Sequence, residues 1–500
     1  MPSFGRTGET YLMRSCIHND EVGLRNRYLR DIGEEPTYNK RALKFAVKEL
    51  ARLIIAANNG RKITVPDLKE FYAGRNGGSK QRLGRAIREV MRNGFDPLKD
   101  SFIKVFSKVE LYHREWDEDI KDPRSIMGRD PKFGLIYGRF TTALEKVIVN
   151  VEGFNKGKTY FEMGEFIENH PPDFWDYYWG DCSKFESSQR ECLLRDCESE
   201  LWPLILDDQS MVNLVQLCFE VKMIKEGVTR YGIRFLFYAL RCSGEFDTWL
   251  CNTIVSWLAN RYLELVNGLP AYNFRVTGDD NFGAKPRGMG IVNTYPQFGF
   301  ECDFQLVNDV HELEFCSAKF VEYYPGKWML CPDPFKIMRN IGFIKNADFE
   351  HCIGHYYYTV GYMYTIMFPN LPFFHNFGRF LMGITRNPKV KHVNMNFLRY
   401  HNPMVVDAFR VGGKEVTVST DLFYVGIEMA YGLQRSHIEL LDEFYAKAEI
   451  DITGHDKKFN RKGSPAPQFS DAQLDEVQGL IEATLRASEA KIARKVAWTK

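Results

Sequence analysis

Two hydrophobic periods run through this chain, one of about 3.6 residues and one of two. Over 36–58, Ala42, Phe45, Ala46, Leu50 and Leu53 recur at helical spacing among Lys and Arg residues, which predicts a helix. Asn58-Asn59-Gly60 ends it. A second helix is predicted from near Ser79 to Met91, with Asn93-Gly94 as its C-cap. Phe102 to Glu110 alternates polar and apolar residues, the pattern of a strand. Gly and Pro then punctuate the chain at Pro123, Gly128, Pro131, Gly134, Gly138 and Pro171-Pro172. Helix and strand signals interleave there without a βαβ rhythm, so the fold class is read as α+β. Beyond about Pro332 the pattern turns mainly helical and aromatic. No fixed period repeats, which excludes a solenoid. Gly463-Ser464-Pro465-Ala466-Pro467 reads as a linker. After it, Ser470 and Gln473 form a capping-box pattern, and Leu474, Val477, Ile481, Leu485, Ile492 and Val496 mark one face of a terminal helix. That helix is expected to dock on the body or on a partner.

Composition adds bounds. A chain of 500 residues exceeds what one core supports, so two or three subdomains are expected. With 44% hydrophobic and 26% charged residues it has the make-up of a soluble enzyme. A net charge of +1 does not announce a nucleic-acid partner, but the charge is uneven. Six basic residues (Arg75, Lys80, Arg82, Arg85, Arg88, Arg92) face one acid, Glu89, and Lys457, Lys458, Arg461 and Lys462 form a second cluster. Either patch alone reads equally as a solvated face or an RNA contact. Eleven cysteines without a CxxC pair indicate reduced thiols in a cytosolic protein. His351, Cys352 and His355 lie close together but lack a second ligand pair, so zinc is not expected. Met1 to Arg14 lacks the pattern of a signal peptide, and the apolar stretch His355–Phe368 is too short to cross a bilayer.

Three segments carry candidate chemistry. Trp179-Gly180-Asp181-Cys182-Ser183-Lys184-Phe185-Glu186 places two acids at a strand end entering a helix, where Asp181 can offer oxygen to a hard cation. A simple helix cap explains it as well. Ser243-Gly244-Glu245-Phe246-Asp247-Thr248 is a glycine hinge leading into a long helix, on which Thr248 and Asn252 share a face able to read a ribose hydroxyl. A buried polar pair is the plainer alternative. Phe274 to Gly283 alternates around Gly278-Asp279-Asp280, a hairpin with two acids at its tip. Like charges there repel unless a cation lies between them.

Their order and spacing resemble the palm of viral RNA-dependent RNA polymerases, most closely the tombusvirus-like and nodavirus-like enzymes of positive-strand RNA viruses. Gly180–Ser188 matches motif A, Ser243–Thr253 motif B and Gly278–Asp280 motif C. Lys121-Asp122-Pro123-Arg124-Ser125-Ile126-Met127-Gly128-Arg129 resembles motif F, with Lys104 and Lys108 before it, and Glu314-Phe315-Cys316-Ser317 resembles motif E. Phe71 to Arg75 and the basic helix after it resemble the region where template enters.

The resemblance implies a right-hand fold. It assigns 1–100 to an N-terminal extension and fingers, 101–170 to fingers with motif F, and 171–325 to a palm with a fingers insertion at 190–240. A thumb at 326–455 and a linker with a C-terminal helix at 456–500 complete it. It implies two-metal nucleotidyl transfer on Mg²⁺, or Mn²⁺ in its place, held by Asp181, Asp279 and Asp280. Lys104, Lys108, Arg124, Arg129, Glu186, Ser243, Gly244, Thr248 and Asn252 are then expected around the NTP, and Arg75, Lys80, Arg82, Cys316 and Ser317 on RNA. Implied partners are template and nascent RNA, NTPs, other viral replication proteins and host membranes, in the host-cell cytoplasm.

Two features depart from the family pattern. Glu186 stands where many relatives have a second Asp, and motif D is not readable between Gly283 and His311, where Lys285, Arg287 or His311 are the candidate proton donors. A reverse transcriptase would show a bulky aromatic in place of Glu186 and a Tyr-x-Asp-Asp turn. An inactive RNA-binding scaffold of the same fold is the other alternative, against which stand all three carboxylates. The sequence shows no capping, helicase or protease signature.

Overall fold

The helix Thr248–Asn267 is buried from Leu250 to Glu264 without a break, so it has no solvent-facing stripe, and its polar residues Asn252, Thr253, Ser256, Asn260, Arg261 and Glu264 are enclosed with the apolar ones. It lies between helix Lys40–Ala57 and strand Phe274–Thr277. Trp257 donates to the Glu152 carbonyl at 2.8 Å, and Tyr262 donates to Gln297 at 2.7 Å. At its C-terminal end, Glu264 accepts from the backbone N–H groups of Tyr272 and Asn273, which turns the chain directly into the next strand. The computed structural model describes residues 8–29, 35–115, 120–341, 352–395, 397–398, 416–450 and 466–500. His351, the basic cluster Lys457–Lys462 and the linker residues Gly463–Pro465 lie outside them.

Beside that helix is a four-stranded antiparallel sheet in the order Cys302–Val307, Trp175–Cys182, Asp280–Pro286, Phe274–Thr277. Its central strand is buried on both faces. Tyr177 packs with Phe166, Phe282 and Phe320 on one side, and Tyr178 joins the large core around Trp257 on the other. A second sheet runs Ser125–Arg129, Ile103–Ser107, Ile224–Thr229, Arg234–Tyr238, with one parallel pairing between the middle strands. Chain from the 190–240 stretch therefore returns to complete a sheet begun by residues 103–129.

The expected elements are present with shifted edges. The first predicted helix begins at Lys40, capped by Asn39, because the residues before it are extended and bond the Gln297 carbonyl. Its buried stripe is Leu43, Ala46, Val47, Leu50 and Ile54, while Phe45 is exposed; the predicted face was rotated by about one residue. The predicted strand from Phe102 ends at Ser107, and a separate strand begins at Glu110.

Beyond Pro332 the described chain is helical, with its own aromatic core of Met363, Phe377, Phe423 and Ile438. His355 and Cys352 belong to this core: His355 meets the His392 carbonyl at 3.1 Å and packs on Phe397. The terminal helix is two helices, Asp471–Ala487 and Glu489–Thr499, joined at Ser488. The capping box at Ser470 and Gln473 is formed, and the predicted apolar face is buried in the large core against the N-terminal half of the chain. All eleven cysteines are free. Among the described residues, no helix is long and apolar enough to cross a membrane.

Candidate active site

Strand pairing brings distant acids together. Gly180 pairs with Asn281 and Thr277 with Asp280, so the same register carried one residue further sets Asp181 alongside Asp280 at the hairpin tip. On its other side Asp181 pairs with Asp303, which places a third acid in the row. Directly opposed like charges are unfavourable in a ladder, and nothing local marks Asp303, because strand order is not written in neighbouring residues. The tip itself needs Gly278, whose φ of +65° lies in the left-handed region.

The tip is pinned from below. Thr253, on the buried helix, accepts the Gly278 N–H at 2.8 Å and donates to its own Trp249 carbonyl. Trp249 donates its indole N–H to Thr277 at 3.0 Å. Asn281 donates to the carbonyls of Gly180 and Asp279 and accepts from Tyr295 at 2.6 Å, which fastens the two acid-bearing strands to each other. Neither Thr253 nor Asn281 stands out by residue type or spacing, although each sits within or beside a motif.

The electrostatics follow from this crowding. Burial, then the charge of Glu186, pushes the Asp279 carboxyl up to about 6, with Asp181 adding to the rise. Burial, then Asp279 and Asp181, pushes Asp280 up to about 7, although a thiol donation from Cys316 at 3.7 Å favours its ionised form. Arg124 is the facing cation. Burial would lower its pKa, but Glu110, Glu186 and Asp279 outweigh that and raise it. Lys184, in left-handed backbone, reaches Asp122 at 3.3 Å and so ties the Asp181 turn to the loop carrying Arg124.

Other predicted site residues are distributed around this centre. Lys104 is exposed on its strand, and Lys108 pairs with Glu110. Ser243 accepts the Met127 N–H at 2.7 Å, and Gly244, at φ +100°, lies against Ile126. Thr248 is turned back on its own loop, donating to the Cys242 carbonyl at 2.7 Å; its proton serves the loop. Asn252 is buried and accepts from Gln189 at 2.8 Å. The Cys316-Ser317 turn, both residues at positive φ, abuts Asp280. Arg75 stacks on Phe71, Lys80 lies over Tyr72 and Arg82 is exposed, all on the helical region that the C-terminal segment crosses, where Tyr72 donates to the Pro467 carbonyl.

Arg129 requires correction as an NTP ligand. Its side chain is 1% exposed, paired with Glu245 and donating to the carbonyls of Ser101, Lys222 and Ile224. It belongs to a buried network in which Glu198, Glu245 and Asp247 face Arg129, Lys222, Lys225 and Arg241. Among the described residues, the group already gathered to metal-ligand spacing is Glu198, Asp247 and Cys251, within 4.8 Å of one another. Lys222 bonds both of its acids at 2.6 Å and Arg241 bonds them too, so this cluster is neutralised by the protein's own cations. Lys285 likewise is committed, bonding Asp176 at 2.8 Å, and His311 bonds Asp309 at 2.8 Å.

Residues 130–358 match the family described as RNA dependent RNA polymerase. The chain is 23% identical over 318 residues to an RNA-directed RNA polymerase of Tobacco necrosis virus (strain D), covering 58% of this chain and 41% of that protein. It is 21% identical over 343 residues to that of Groundnut rosette virus (strain MC1), covering 63% and 39%, and 26% identical over 270 residues to that of Pothos latent virus, covering 49% and 35%. It thus spans about two fifths of the length of the curated relatives it matches. With Asp181, Thr253 and the Gly278-Asp279-Asp280 turn all inside the matched stretch, the chain resembles the RNA-dependent RNA polymerases of plant RNA viruses.

Proposed function

We propose that this chain is an RNA-directed RNA polymerase that extends an RNA 3′ end from NTPs along an RNA template and so replicates a viral genome. The observation that carries the reading is the register that sets Asp181 beside the Asp279-Asp280 tip. The donor set fits hard divalent cations: it offers carboxylate oxygens from a strand end and a hairpin tip, and burial first, then the neighbouring acids, raises Asp279 and Asp280. Asp181 and Asp279, with Asp280 assisting, would hold Mg²⁺ or Mn²⁺. Such ions, when bound, activate the 3′-hydroxyl and neutralise charge on the triphosphate.

The chain's own groups do the rest. Arg124, beside Glu186 and Asp279, offers a forked set of donors to phosphate oxygens. Lys104 and Lys108 extend the positive lining. Asn252 reads the ribose hydroxyl with Glu186 nearby, and base choice is left to template pairing. Arg129 and Thr248 hold the surrounding loops instead of the nucleotide. Cys316 and Ser317 stand where the RNA 3′ end would rest, and Arg75, Lys80 and Arg82 line the approach of template. This reading divides the chain as fingers to about 170 with the 190–240 insertion, palm over 171–325, thumb over 326–455 and a C-terminal segment over 456–500. The shared sheet of 103–129 and 224–238 supports it. It also implies other viral replication proteins and membrane-associated sites in the host cytoplasm.

A primer-extension assay tests the proposal. Template-directed incorporation that needs Mg²⁺ or Mn²⁺ and disappears in Asp279→Ala supports it. RNA binding without incorporation under either metal would instead identify an inactive scaffold of the same fold.

A further inference from the structure

The ribose-reading amide is not free to choose which end it presents. Arg241 donates to Gln189 Oε1 through both Nε and Nη2, at 3.1 and 3.0 Å. Arginine carries donors only, so the atom it meets must be the Gln189 oxygen. That leaves Gln189 Nε2 facing Asn252, and it donates to Asn252 Oδ1 at 2.8 Å. Arg241 is in turn held by Glu198 and Asp247, which Lys222 also bonds. Gln189, Arg241 and Asn252 are all buried, so the chain of donors runs one way with no water to reverse it. Asn252 Nδ2 has no hydrogen-bond partner among the described residues and is not sealed from solvent. Helix Thr248–Asn267 carries it next to Thr253, which holds Gly278, and Gln189 follows Glu186 in the segment beside Asp279.

We infer that Gln189, locked by Arg241, is a positioning residue that fixes Asn252 as a hydrogen-bond donor toward the 2′ substituent of the nucleotide. The inference rests on the polymerase reading above and deepens it. The site is then built for a 2′ acceptor. A 2′-hydroxyl satisfies it, a 2′-fluorine satisfies it weakly, and a 2′-hydrogen leaves the amide unpaired.

Single-nucleotide incorporation of ATP, 2′-fluoro-2′-deoxy-ATP and 2′-deoxy-ATP provides the test. Gln189→Glu keeps the bond to Arg241 but offers only acceptors to Asn252, which must turn its Nδ2 inward and its oxygen to the site. Asn252→Asp reaches the same result from the other end, since Gln189 still donates to one oxygen and the other faces the sugar. In both variants the kcat/KM ratio of the 2′-fluoro nucleotide to ATP should fall by about tenfold, the effect of setting acceptor against acceptor. ATP should suffer less, because a hydroxyl can turn to donate. A folding defect alone would lower all three substrates together and leave the ratio unchanged. An unchanged ratio in both variants, with ATP still incorporated, overturns the inference. No incorporation by the unmodified protein would overturn the polymerase reading itself.

Discussion

At the scale of single residues the site is a balance between repulsion and pinning. Asp280 titrates at about 7 against an ordinary 3.8, so the folded protein holds a proton there that the unfolded chain releases. Between roughly pH 4 and pH 7 the folded state binds more protons, and stability must fall as pH rises through that window. Asp280→Asn reduces this slope, leaving the part that Asp279 contributes, and should stabilise the protein at pH 7.5 by about 1–3 kcal/mol, measured by thermal melts across pH. For the same reason, the rise in Tm on adding Mg²⁺ should grow from pH 5.5 to pH 7.5, and a shift of equal size at both would contradict cation binding by these carboxylates. Thr253 acts in the opposite sense. Thr253→Val keeps the shape but leaves the buried Gly278 N–H without an acceptor, at a cost of about 1–3 kcal/mol. Nucleotide incorporation should drop by more than tenfold as the tip loosens, whereas unaltered activity would show that Thr253 does not hold it.

At the scale of elements, what could be read from sequence is what depends on neighbours in the chain. The Gly278 hairpin, the buried Thr248–Asn267 helix and the capping box at Ser470 follow from local periodicity and turn chemistry, and all are present. Spacing alone misjudged what each side chain faces. Arg129 carries the residue type of a phosphate ligand, yet pairing of its strand with Ile103–Ser107 beside Ile224–Thr229 aims it inward at Glu245. Thr248 has the right helical phase for a sugar, yet the loop before it claims the hydroxyl. Asp303 and Gln189 needed strand order and helix packing to acquire meaning. The buried network shows the energetic side of this. Lys222 keeps Asp247 well below the usual carboxylate range even though burial alone would raise it. Lys222→Met should therefore cost about 3–5 kcal/mol, because two buried acids lose a shared cation. Adding Asp247→Leu to it should recover part of that loss in denaturant melts. A strictly additive pair would mean the two groups are not coupled.

At the scale of the molecule, the C-terminal helices close the chain back on its beginning. After the helical region with its separate core, residues 466–500 cross to the N-terminal half and contribute Leu474, Val477, Ile481, Leu485, Ile492 and Val496 to the large core. Polar contacts fix the register of this crossing. Gln478 accepts the Leu68 N–H at 2.7 Å, and Glu482 pairs with Arg139, whose side chain is 3% exposed, at 2.8 Å. Lys491 meets Asp96 and Lys495 meets Glu226, but those pairs are exposed and contribute little. The weight thus falls on the apolar face and the one buried ion pair. Leu485→Ala should destabilise by about 2–5 kcal/mol, and Glu482→Ala by a similar amount through the stranded Arg139. Lys491→Ala should change stability by less than about 1 kcal/mol. Because helix Leu68–Ala73 and helix Gly77–Asn93 are among the surfaces covered, the two costly substitutions should also weaken template RNA binding by loosening the second of them, which carries Lys80 and Arg82. Equal effects from all three substitutions in thermal melts would mean the segment is held by its surface charges and not by its buried stripe.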